Sequence, residues 1–157
     1  MNKFTIITAL SLILAGCSAY QIKADVDEGK FRFVNFEKER GKQFEYIHLM
    51  CLYKRPIEWN LPKQYQAGNH QLWVKAQIYQ NGMSIREKNA FVKFDVTLKA
   101  GLSYKLNRSF DDDNNISIWI EEEQSKNIVS EIIITELLRP LLIEKSLRTE
   151  QCESGSI

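Results

Sequence analysis

Few side chains in this sequence are of types that do chemistry. It holds two histidines, His48 and His70, and three cysteines, Cys17, Cys51 and Cys152. A two-histidine metal site needs a further Cys, Asp or Glu brought close by the fold, and no local spacing proposes one. His70 follows a glycine turn, which makes it a strand-start residue before it is a general base. Cys51 sits in an apolar run, where a thiol's pKa rises and its nucleophilicity is suppressed. Residues 111–115 read DDDNN and invite calcium. Asp111, Asp113, Asn115 and Glu122 fall at the first, third, fifth and twelfth positions of an EF-hand-like loop, but the sixth is Ile116 where the bend needs glycine. A solvated hairpin turn is the stronger reading, because Asp and Asn satisfy their own backbone there. No phosphate-cradling glycine loop and no serine elbow is present. The sequence therefore proposes no catalytic residue, no metal and no cofactor. Among aromatics, Trp59, Trp73, Tyr79 and Trp119 could form a sugar- or peptide-binding surface. Trp73 and Tyr79 share the polar face of one strand and are the binding-surface candidates; the alternative is a strand covered on both faces.

The remaining cysteine, Cys17, has a distinctive setting. Lys3 precedes the apolar run FTIITALSLILA at residues 4–15, then come Ala15, Gly16, Cys17 and a polar stretch. Charge, apolar run and small residues are the parts of an export signal. The run is short of the ~20 apolar residues a membrane span needs. Leu14-Ala15-Gly16-Cys17 resembles the lipobox of bacterial lipoproteins. That resemblance implies diacylglyceryl transfer to the Cys17 thiol, cleavage before Cys17, and acylation of the new amino terminus with a palmitate-like chain. It also implies a location: Ser18, where an Asp would favour the inner membrane, points to the outer membrane, facing the periplasm. Two or more acyl chains make a durable anchor where one is marginal. Residues 1–16 thus read as a lipoprotein signal peptide and 17–30 as the lipidated cysteine and its tether.

Whole-chain properties are those of an ordinary globular domain. The 157 residues suit one domain, and 44% hydrophobic with 26% charged residues is globular composition. Lys and Arg total 21 against 20 Asp and Glu. Removing residues 1–16 takes Lys3 away and leaves the balance neutral, with no basic field for nucleic acid. An oxidising compartment permits Cys51 and Cys152 to pair, closing a long loop; the alternative is Cys51 packed in a strand and Cys152 free in a frayed tail.

The elements that would position these residues are strands. Leu72, Val74, Ala76 and Ile78 alternate with polar residues, Asn81-Gly82 marks a hairpin, and Val92, Phe94, Val96 and Leu98 alternate again. Residues 44–53 suit a strand buried on both sides. About seven short strands with turns between them predict a mainly β fold, a single antiparallel β-sandwich occupying residues 31–147. Within it, residues 127–147 are ambiguous: a helical spacing competes with the β-branched run Ile132-Ile133-Ile134-Thr135, and a C-terminal helix is favoured by a small margin. Residues 148–157 read as a tail.

Gln66-Ala67-Gly68-Asn69-His70-Gln71-Leu72-Trp73-Val74, then Lys99-Ala100-Gly101-Leu102-Ser103-Tyr104-Lys105-Leu106, then Ile118-Trp119-Ile120, resemble a pattern of small bacterial lipoproteins with PEGA-like or transthyretin-like β-sandwiches. The resemblance covers residues 60–122 and implies a fold, with no activity attached. The expectation is a lipid-anchored periplasmic binding or scaffolding protein, not an enzyme, with an envelope protein as partner. The competing reading is an inhibitor or immunity lipoprotein that presents residues 111–115 or 54–63 to an envelope hydrolase; an envelope enzyme ranks third.

Overall fold

The computed structural model describes residues 25–57, 61–80, 87–111 and 114–156. Cys17, the expected signal segment 1–16, Trp59 and the expected hairpin turn at Asn81-Gly82 lie outside the described residues. The described chain is mainly β, with ten strands in two sheets and one C-terminal helix. The strands are β1 (Lys30–Val34), β2 (Phe36–Arg40), β3 (Gln43–Leu52), β4 (Arg55–Pro56), β5 (Lys63–Gln66), β6 (Gly68–Gln80), β7 (Lys88–Leu98), β8 (Ser103–Phe110), β9 (Asn115–Glu122) and β10 (Ile133–Glu136); the helix is α1 (Glu144–Ser154).

One sheet runs β10-β9-β8-β1-β5 and the other β2-β3-β6-β7, with β4 paired to β3. Expected strand alternation is realised in β6 and β7, which pair antiparallel from Gly68↔Leu98 to Ile78↔Lys88. Their even-numbered aliphatics face the other sheet and meet Phe31, Phe33, Leu106, Ile116, Ile118 and Ile120 in one core. The count and direction of strands differ from the expected seven antiparallel ones. β1 pairs parallel with β8 (Phe33↔Tyr104) and antiparallel with β5, so that sheet is mixed. Parallel partners lie far apart in sequence, and alternation within a strand carries no sign of them.

A β-bulge in β3 determines which side of the sheet the cysteine occupies. Ile47 and Leu49 point into the core, so regular alternation would send Cys51 there too. The register slips between Leu49 and Cys51, with Leu49 opposite Val74 and Cys51 opposite Trp73. Met50 is the extra residue, and Cys51 turns to the outer face while Leu52 returns to the core opposite Leu72. Cys51, Trp73 and Cys152 form a second buried cluster on that outer face, with Met50 against it.

The C-terminal third corrects two expectations. The β-branched run at 133–136 is strand β10, paired with β9, because β propensity and an open sheet edge outweigh the helical spacing. The helix begins only after Pro140, and residues 148–154, read as tail, belong to it. Gly155 ends it in the left-handed conformation, φ 72°. α1 is polar and buries a single residue, Cys152, so it lacks the apolar stripe that marks a helix in sequence.

Candidate functional site

A disulfide joins Cys51 and Cys152, whose Cα atoms are 5.9 Å apart across a separation of 101 residues. It fastens α1 onto the outer face of the β2-β3-β6-β7 sheet. Beneath the helix lies one cross-strand row: His48 on β3, Lys75 on β6 and Phe91 on β7. Arg148, one turn before Cys152, lays its guanidinium 4.1 Å from the centre of the Phe91 ring. At the helix start, Glu144 accepts a hydrogen bond from Asn89 Nδ2 at 2.5 Å. Between sheet, helix and the segment leading into it is a cleft of about 740 Å³. Its walls include Met50, Ile57 and Phe91 on the sheet side and Pro140, Leu141 and Leu142 on the helix side. That size lies within the range of small-molecule sites.

The cleft's electrostatics follow from its parts. Lys75 lies 3.8 Å from Glu87, which also accepts from Gln77 Nε2 at 3.0 Å. Burial, reinforced by the Lys75 ammonium, pushes the His48 imidazole down to about 4, so it is neutral at pH 7. The ring stacks on Tyr46 with centroids 4.5 Å apart. Two buried polar atoms of the cleft residues have no hydrogen-bond partner: His48 Nδ1 and Arg148 Nε. Bulge, disulfide and helix build this site, and the sequence reading missed it. The β6 residue Lys75 and the tail residue Arg148 carried no signal of their own; the expected Cys51–Cys152 pairing is present and brings the tail against the sheet.

The other candidates fall elsewhere. Trp73 is on the expected face but only 6% exposed, packed against the disulfide under α1. That removes it from an accessible aromatic surface. Tyr79 is half-buried further along β6, stacked on Phe44 with centroids 5.0 Å apart. Trp119 sits on the other sheet and donates from Nε1 to Glu121 at 3.1 Å. The histidines occupy opposite faces of their sheet. His70 points into the core at 4% exposure, with Nε2 donating to the Gln66 carbonyl and Nδ1 accepting from the Tyr53 hydroxyl, both at 2.8 Å. Both ring nitrogens are thereby used, and burial lowers its pKa. At the acidic turn, the Asp111 carboxylate accepts from the Asn115 backbone and side-chain amides at 2.9 Å each. Asp112 and Asp113 lie outside the described residues. Glu122 is at the far end of β9, about 23 Å along the strand from Asn115, which breaks the calcium-loop spacing. No group of three metal-ligating side chains occurs among the described residues.

No protein-family model, no curated protein and no solved structure matches this chain, so its functional reading rests on its own residues.

Proposed function

We propose that the chain is a lipid-anchored binding protein of a bacterial envelope, held at the outer membrane through Cys17 and facing the periplasm. The observation that carries this reading is the run of Lys3, residues 4–15, and Leu14-Ala15-Gly16-Cys17. The Cys51–Cys152 bond supports it, since disulfides persist in oxidising compartments beyond the cytoplasm. No helix among the described residues is long and apolar enough to cross a membrane, and a lipid supplies attachment without one. We further read the two-sheet core as a variant of the β-sandwich that the lipoprotein resemblance implies, with one parallel pairing added.

Binding, not turnover, is the proposed role. What supports it is that, among the described residues, His48 and His70 lie on opposite faces of their sheet and Cys51 and Cys152 are joined in a disulfide, so neither histidine is paired with a free thiol. The contact surface is the cleft roofed by α1. Cell fractionation tests the anchor. Wild type should sediment with membranes and be released by detergent but not by salt, while Cys17→Ser should be soluble or remain unprocessed. A Cys17→Ser protein that keeps the wild-type membrane behaviour and lipid label overturns it.

A further inference from the structure

We propose that the cleft under α1 binds a single-chain anionic amphiphile, an acyl chain ending in a carboxylate or phosphate. The inference deepens the binding reading above and rests on it. Three observations carry it. First, both carboxylates of the cleft are already engaged inside the protein, Glu87 by Gln77 and Lys75 and Glu144 by Asn89. Second, the Arg148 guanidinium is held over Phe91 with one amino group donating to Gln151 Oε1 at 3.0 Å, yet its Nε–H has no partner. His48 Nδ1, on the sheet side of the same cleft, is also without one. A buried donor left unmatched is costly, and an anionic oxygen would satisfy it with a charge-assisted bond. Third, the lining also includes Met50, Ile57, Pro140, Leu141 and Leu142, the last two exposed to solvent. The site therefore combines an unmatched cationic donor with apolar surface.

An anionic head meets Arg148, His48 and Lys75, and the chain lies along Leu141, Leu142 and Met50. Specificity comes from both ends. A chain without the anion leaves the Arg148 Nε–H unmatched, and an anion without the chain leaves the leucines in water. Each methylene buried contributes ~0.8 kcal/mol, which is about fourfold in affinity. A carboxylate head would denote a free fatty acid, and a phosphate head a lysophospholipid-like species.

The test uses the full chain carrying Cys17→Ser, exported so that the disulfide forms and purified without detergent. Calorimetric titration with dodecanoate, decanoate, dodecyl phosphate and dodecanol, below their aggregation limits, reads the site. Saturable 1:1 binding of dodecanoate or dodecyl phosphate is expected, with the tighter head identifying the source. Decanoate should bind about fifteenfold more weakly than dodecanoate, and dodecanol at least about tenfold more weakly. Arg148→Gln should lose at least tenfold. Leu142→Asp, at a fully exposed side chain that cannot disturb folding, should also weaken binding. Absence of saturable binding by both anions overturns the proposal, as does dodecanol binding equally well, or unaltered affinity in both variants. Membrane attachment of the wild type is read separately, so failure of the anchor and failure of the ligand assignment are distinguishable.

Discussion

At the residue scale, the informative side chains are polar ones placed where apolar ones would be cheaper. Arg108 and Glu45 form an ion pair across the two sheets at one end of the core, both side chains largely buried. The guanidinium also lies 4.3 Å from the Phe36 ring centre and 5.2 Å from that of Phe110. Arg108→Ala should therefore cost about 3–5 kcal/mol in chemical denaturation, since it strands the Glu45 carboxylate. Replacing both members by leucine should recover most of that loss. His48 makes a pH prediction. Its pKa falls from 6.5 in the unfolded chain to about 4 in the fold. The unfolded state thus binds the proton first as pH drops, and stability declines between pH 6.5 and about 4, with no further loss from this group below. The groups around it are Lys75 on β6, Glu87 before β7, and Glu144, Lys145 and Arg148 on α1. His48→Gln should flatten that segment of the stability–pH curve; an unchanged slope would place the loss in other groups. Neither feature is legible in sequence, where Glu45 and His48 sit in a run that reads as a strand buried on both sides.

The disulfide is what makes an element of α1. An eleven-residue polar helix is marginal alone, and this one has no side-chain N-cap and buries only Cys152. Its further contacts include β4, the Arg148–Phe91 stack and the Asn89–Glu144 hydrogen bond. Reduction, or Cys152→Ser, should release α1 while leaving both sheets folded. Hydrogen exchange should then show lost protection at residues 144–155 and a newly exposed Trp73 in fluorescence, with β6 and β7 amides still protected. The chain-entropy model sets the stability loss for a loop near a hundred residues at up to ~4.7 kcal/mol. The strands β6 and β7 were readable because alternation in a half-buried strand is a direct imprint of the two faces. The bulge at Met50 was not, because one extra residue changes every facing after it without altering composition. Trp73 shows the same limit: its face was legible, but its cover arrives from a helix seventy residues later that carries no apolar stripe. Residues 133–136 show propensity overruling spacing, and Pro140 marks the true break before the helix.

For the molecule as a whole, the sheets supply a support, and on the proposed reading the chain's two ends supply function. In that proposal the amino-terminal segment carries the address, while the carboxy-terminal helix, tied back by Cys51–Cys152, roofs the cleft. The mainly β class was legible from alternation and turns, whereas the parallel β1–β8 pairing depends on contacts between distant segments. The site was hidden for the same reason, since its lining draws on β3, β6, β7 and α1 at once. Everything proposed about where the domain works depends on Cys17. The most direct test is mass spectrometry of the amino-terminal peptide of the protein isolated from cell membranes. The account predicts a chain beginning at Cys17 whose thiol carries a diacylglyceryl group and whose amine carries a further acyl chain. A mature chain that retains residues 1–16, or one that begins elsewhere with an unmodified Cys17, would contradict it.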